Sequence, residues 1–428
     1  MRIETLVLFL WFLRLFKPEW ILTYYVPGIT FIRGLPTGIL YLSFAYFIFT
    51  EKNKIVIDKP YLLFFLSYFL STIFAYNTGI ARTALRGMTD SLIFYVLAIS
   101  LIKNDKDVVR LFNLYLLSLI FYAIFGIIYK GRVPFHVVLN EEDAIGPLMG
   151  IGVPFSFYLA FIYGRVSYSR FLVTILAIAG VVVSFARGAF IGLCVGVIFL
   201  WHKSSRKATA TGLLLLFALI LIISASYIRT GGVSATGGSY WEEISTISGS
   251  YDQDEGRLFL WERALMMFAS NPITGVGPAN YGFVILKFTT NEELEARGAR
   301  ASEVYGRVVH NAYFQILAEL GAFGFISFIV VIICFWKKNR EVQKAYKNHL
   351  AGSGGENMSE RELSRRLSRY YYQSLSVQGA LLVYLANCMF YDLLYVNWLP
   401  DMLILNSLIY LRFKKFSLEA KAEISEPS

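Results

Sequence analysis

Apolar runs long enough to cross a bilayer recur from one end of this chain to the other, and they fix the fold class before any single residue is weighed. Residues 108–129 and 311–336 each exceed the ~20 residues that carry a helix across a ~30 Å hydrocarbon core. Further apolar stretches occupy 61–76, 89–102, 147–163, 171–185, 189–201, 208–226, 371–391 and 398–411. Three more lie at 3–16, 20–32 and 36–49, of which two are expected to cross, so the expected total is about twelve spans. Backbone inside a bilayer must satisfy its own hydrogen bonds, which leaves helices or closed barrels. The ten-residue alternation that marks barrel strands is missing. Only 16% of residues are charged and 56% are hydrophobic, against roughly a quarter charged in soluble domains. The expected fold is an all-α polytopic membrane protein with one large outer loop containing short helices.

A net charge of +10 needs no nucleic acid as partner, because Lys and Arg gather in cytoplasmic connections of membrane proteins. Alternate connections at 51–54, 103–110, 165–170, 202–207, 337–370 and 412–415 carry them, so these mark the cytoplasmic side, with both termini. The 337–370 connection holds nine Lys and Arg against four Glu, and reads as a solvated hairpin around the linker 352–355. The opposite side receives 77–86, 130–146, 186–188, 392–397 and the long polar block 227–309, which holds seven Lys and Arg against ten Asp and Glu. The chain divides into a bundle at 1–226 (about nine helices), the outer loop 227–309, a second set of about three helices at 310–412, and a tail at 413–428. The apolar N-terminus lacks a small-residue cleavage site and reads as retained. Cys194, Cys334 and Cys388 sit in apolar runs without zinc-like or disulfide spacing, and read as small buried hydrophobes.

Within the outer loop, Leu258, Trp261, Leu265 and Phe268 repeat with helical spacing over 257–270. Asp254 precedes this stretch as a cap and Asn271-Pro272 follows it as a stop. A second helix is expected over 291–307. Asp252-Gln253-Asp254 has a metal-binding spacing, but capping already explains Asp254, so no metal is expected. Gly275-Val276-Gly277 lacks the preceding strand of a dinucleotide site and reads as a turn.

The anomaly is a set of arginines on the side that topology does not favour: Arg82, Arg86, Arg132, Arg187 and Arg257. Arg82 and Arg86 share a helix face. Each could be an interfacial anchor reaching to lipid headgroups. Yet Arg187 is confined to a tight turn between two spans and Arg257 follows a glycine, and guanidinium forks at headgroup level grip phosphate oxygens bidentately. An anionic ligand at the outer surface fits them, a lipid pyrophosphate above all. His310, at the start of a transmembrane helix beside Asn311, has the proton affinity of a general base near neutral pH. Its bland alternative is a helix-capping pair with Asn311.

Ser184-Phe185-Ala186-Arg187-Gly188-Ala189, then Gly256-Arg257 with Trp261 and Asn271-Pro272 to Gly277, then His310-Asn311-Ala312-Tyr313 with Leu320-Gly321, resembles the O-antigen ligase and polymerase superfamily of bacterial envelopes. The motifs lie within 184–325. The resemblance implies a glycosyltransferase of the inner membrane that moves a glycan from undecaprenyl pyrophosphate to an acceptor at the periplasmic face, inverting, with no metal, cofactor or nucleotide sugar. Carried over, Arg187 and Arg257 bind the pyrophosphate, with Arg86 as a further candidate. His310 activates the acceptor hydroxyl or helps to organise it, and Asn311 and Trp261 support it. Lipid A core is the expected acceptor of a ligase; a second lipid-linked repeat would make the protein a polymerase, and a Ser or Thr side chain a protein glycosyltransferase. The competing class is a transporter of the same lipid-linked glycan, which would place ionisable groups and broken helices near the bilayer midplane.

Overall fold

The computed structural model describes residues 3–26, 28–50, 55–140, 144–162, 166–184, 186–203, 207, 211–212, 251–352 and 358–425. The apolar run 208–226 and the first part of the outer loop, 227–250, thus lie almost wholly outside the described residues, as do the side chains of Asp252 and Asp254. Every regular element among the described residues is helical. Thr30–Thr50, Thr78–Leu101, Asp105–Ile128 and Ala312–Leu350 are long and apolar enough to cross a membrane. Ile145–Ala160 and Tyr168–Val183 are apolar but shorter.

Ile145–Ala160 forms the centre, with all of its residues buried. It packs against Tyr168–Val183, Arg187–Lys203 and Met358–Asn387. Between helices in lipid there is little hydrophobic drive, so close approach rests on small residues. Gly188, Gly192 and Gly196, one helical turn apart, supply it: a Cβ on each would lie 2.6 Å from Phe390, 2.7 Å from Asn387 and 2.7 Å from Val383. This stripe seats Arg187–Lys203 on the last turns of Met358–Asn387 and fixes where its first residue, Arg187, stands.

The expected cytoplasmic hairpin is largely helix. Ala312–Gly352 runs through Lys337 to Gly352, and Met358–Asn387 begins well before Tyr370. The two arms carry good helix formers and share a buried polar seam, in which Gln343 donates to Ser374 at 3.2 Å and to Gln378 at 2.8 Å. Arg14, an interruption in the first apolar stretch, is balanced inside the bundle by Asp401 at 2.5 Å and by Ser91 at 3.2 Å. Of the cysteines, Cys388 is buried, whereas Cys194 faces outward from its helix.

The long helix that follows the outer loop is broken. Gly321 has φ 65° and ψ −166°, which frees the carbonyls ahead of it. The 271–277 turn fills the gap: Val276 N–H donates to Ala318 O at 2.8 Å and Gly277 N–H to Glu319 O at 3.1 Å. In return, Ala322 N–H donates to Pro272 O at 2.8 Å and Phe323 N–H to Ile273 O at 3.2 Å. The turn read from Gly275 and Gly277 is therefore a plug that docks the outer loop into the bundle.

Candidate functional site

The lid helix Tyr251–Ser270 starts earlier than the sequence suggests, so Asp254 lies inside it rather than ahead of it. Its buried face also differs. Phe259, Leu260, Ala264 and Met267 face inward, whereas Leu258 and Leu265 are 60% and 45% exposed. The helix is apolar on two sides, and the side that wins covers a small separate core of Val276, Tyr281, Val284, Ile285 and Val309. Arg263, unremarked in the sequence, is buried at the centre of this lid. It donates to Glu293 at 2.9 Å and to Phe288 O at 2.5 Å. The expected helix at 291–307 is split into Asn291–Ala296 and Ala301–Val304, with Gly298 at φ 60° between them. Thr290 and Glu293 form a capping box at the first of these.

Trp261 ties the lid to the bundle. Its Nε1–H donates to Val309 O at 3.2 Å and its ring stacks on Phe314 with centroids 5.3 Å apart. The next residue, His310, does not begin the helix. It sits in a left-handed turn at φ 53°, and its backbone N–H donates to Asp392 Oδ2 at 2.9 Å. Asn311 does the capping: its Oδ1 accepts from Tyr313 and Phe314 N–H at 3.0 and 3.2 Å, and its Nδ2 donates to Met389 O. With the cap supplied by Asn311, the half-buried imidazole of His310 is not needed for it. Non-glycine residues at positive φ are uncommon, and such strain gathers at functional sites.

Burial, then the positive charges of Arg257 and Arg307, hold the His310 imidazole below its ordinary value of 6.5. It is therefore neutral at neutral pH and able to accept a proton. Arg257 lies one turn before Trp261 on the lid helix, exposed, within electrostatic reach of His310. Arg187 approaches from the other direction. Gly188, its neighbour, packs on Phe390 and Tyr391, while Ala312 N–H donates to Cys388 O at 2.8 Å and His310 to Asp392. The short segment 388–392 is thus clasped between the Arg187 end of one helix and the His310 turn, with the lid above the latter. Arg86 is exposed in Thr78–Leu101, and its charge acts on Tyr41 and Asp90. The other outer histidine, His136, accepts from Val138 and Leu139 N–H through Nδ1, and burial pushes its pKa down to about 3, so it is structural.

Several contributors escaped the sequence reading. Asp392 was seen only as part of a loop, yet it orients the His310 turn. Glu319 is fully buried at the helix break, where it accepts from Tyr281 N–H at 3.0 Å and from the Tyr395 hydroxyl. Asn280 accepts from Asn77 N–H at 2.7 Å and returns Nδ2 to the Pro278 and Asn77 carbonyls. The signal for Glu319 was present, since an acid eight residues into the apolar run 311–336 needs a partner.

No curated protein matches the chain. Residues 172–329 match the family model described as O-antigen ligase, a stretch that contains Arg187, Arg257, Trp261, His310 and Asn311 but not Arg86. Over that stretch the chain is similar to the O-antigen ligase family, whose members are glycosyltransferase-like enzymes, and the match supports the O-antigen ligase and polymerase superfamily.

Proposed function

We propose that the protein is a ligase-type glycosyltransferase of the bacterial inner membrane, working at the periplasmic surface on an undecaprenyl-pyrophosphate-linked glycan, with lipid A core as acceptor. The observation that carries this reading is the clasp around 388–392, with a neutral histidine on one side and an arginine-bearing helix end on the other. We assign the pyrophosphate to Arg187 and Arg257, whose guanidinium groups match phosphate oxygens. His310 takes the proton from the acceptor hydroxyl as its oxygen forms a bond to the anomeric carbon. The bond from that carbon to the pyrophosphate oxygen breaks, the electron pair leaves with the pyrophosphate, and the configuration inverts. The arginines lower the barrier because negative charge grows on the leaving group in the transition state. Asn311 and Trp261 hold the turn and the lid in register. Arg86, whose charge acts on Tyr41 and Asp90, is kept as a further candidate for the same phosphate.

A broken helix with a buried carboxylate is also a transporter feature. In this chain the break is filled by the protein's own 271–277 turn, with carbonyls on both sides satisfied, so it serves as a joint for the lid.

The test is transfer by purified protein given lipid-linked glycan and acceptor. His310→Ala is expected to abolish product while donor binding persists, and Arg187→Ala or Arg257→Ala to weaken binding as well. Full activity in all three variants, or glycolipid movement without a new glycosidic bond, would sink the assignment. A deletion strain separates the acceptors: loss of capped lipid A core with long lipid-linked chains accumulating indicates a ligase, and caps of a single repeat indicate a polymerase.

A further inference from the structure

At the end of the bundle far from His310 lies a cavity of about 940 Å³. Tyr370 lines it, while Asn387 closes the same helix beside the clasp, about 25 Å away at 1.5 Å per residue. The cavity opens where the Lys- and Arg-rich connections mark the cytoplasmic side. Its walls come from the N-terminus of Asp105–Ile128, from Met358–Asn387 and from the last turns of Trp398–Ser425. Seven Lys and Arg line it against four Asp and Glu.

The two acids at its floor are already engaged. Asp105 accepts from Arg369 at 3.0 Å and from the Tyr370 hydroxyl, and Asp107 accepts from Arg110 at 2.7 Å. Among the described residues Lys103 and Lys106 meet no carboxylate, and Arg412 donates to the Lys103 carbonyl rather than to an acid. The Nε atoms of Arg369 and Arg412 are buried and have no acceptor. What points to an anionic ligand is the gathering of basic groups that meet no acid, Lys103, Lys106 and Arg412, on the wall of one cavity. Phe416, beside Tyr370, adds an apolar wall.

We propose that this cavity is a phosphate-binding site, independent of the glycan-transfer reading. An anionic phospholipid headgroup would reach it from the adjoining leaflet, and a soluble phosphate from the water. Lys103, Lys106 and Arg412 supply the uncompensated charge, and the guanidinium groups supply directional donors.

The full-length protein in detergent is mixed with cardiolipin or with phosphatidylcholine and examined by native mass spectrometry. The wild type is expected to retain one cardiolipin, and K103Q/K106Q/R412Q to retain at least about tenfold less. K103R/K106R, which keeps the charge, should retain it. Because Lys103 and Lys106 are exposed, K103Q/K106Q gives the same reading if the triple variant fails to fold. Inorganic pyrophosphate is then added to lipid-free protein. A thermal shift lost in the charge variants identifies soluble phosphate as the source, whereas cardiolipin retention without that shift identifies the lipid headgroup. Equal retention of the two lipids, or undiminished retention in the variants, together with no pyrophosphate shift, overturns the proposal.

Discussion

Replacing Gly321 with alanine should detach the outer loop from the bundle. Its φ of 65° with ψ −166° falls in a region that side-chain-bearing residues essentially avoid, at a cost of ~1–3 kcal/mol. An added Cβ would stand 2.4 Å from Ile273 O and 2.7 Å from Gly275 N, both backbone atoms of the plug. Relief requires the plug to withdraw, which breaks the Ala322-to-Pro272 and Phe323-to-Ile273 hydrogen bonds at a net ~1 kcal/mol each. The sum is about 3–5 kcal/mol, a large part of the ~5–15 kcal/mol that holds a typical domain folded. Gly298→Ala is the control, because Gly298 also has positive φ (60°) but its Cβ would meet nothing within 4 Å, so backbone strain of ~1 kcal/mol is all it should suffer. Thermal unfolding of the detergent-solubilised protein, followed by tryptophan fluorescence, compares the two, alongside glycan transfer. If Gly321→Ala unfolds at the same temperature as Gly298→Ala and transfers glycan normally, the plug does not couple loop to bundle and the reasoning fails.

Trp261→Phe keeps the stack on Phe314 but loses the Nε1 bond to Val309, so docking of the lid should weaken by ~1 kcal/mol, about fivefold, visible as faster amide exchange over 257–270; unchanged exchange would assign the contact to packing alone. Gly256→Ala should raise stability by ~1 kcal/mol, because this helical glycine has open space where its Cβ would go. Transfer lost in that stable variant would show that donor or acceptor passes close to the Gly256 backbone. Transfer should also fall with acid, since it needs His310 neutral. Burial and the charges of Arg257 and Arg307 depress that group's pKa below 6.5, so the acid limb lies below 6.5 and loss appears only as pH drops through the depressed value. Arg307→Gln removes one of those positive charges and should move the limb upward without weakening donor binding, whereas an unmoved limb would place the titration on another group.

What could be read from the sequence followed from periodicity and from misplaced charge. Long apolar runs announced membrane helices because water is absent there, while Trp261 stood out by its helical spacing, Arg257 by a positive charge on the side that topology does not favour, and His310 by its place at the start of an apolar run. The lid's buried face could not be read that way. Phe259 and Leu260 compete with Leu258 and Leu265 for the interior, and only the core around Tyr281 decides between them. Asp392 was equally hidden, since an acid in a short outer connection looks solvated until the His310 turn, 82 residues earlier, is folded against it. The helix break at Gly321 was concealed for a related reason. Leu320-Gly321 was visible as a motif, but a glycine within an apolar run is common in membrane helices, and its left-handed geometry depends on a plug nearly 50 residues upstream.

The placement of Arg257 gives the proposed site a form of coupling between its two substrates. The positive charge that would hold a pyrophosphate is one of the charges that weaken His310 as a base. A bound pyrophosphate neutralises that charge, so the proton affinity of His310 should rise when, and only when, the donor is in place. In the absence of donor the base is weaker, and nothing activates the acceptor prematurely. The acid limb of kcat, which reports the donor-bound enzyme, is then expected at higher pH than that of kcat/KM for the donor, which reports the free enzyme. In Arg257→Gln the two limbs should converge, because the charge that the donor would cancel has been removed. Limbs that coincide in the wild type would mean that the pyrophosphate does not lie against Arg257, and Arg187 would remain as its only assigned ligand.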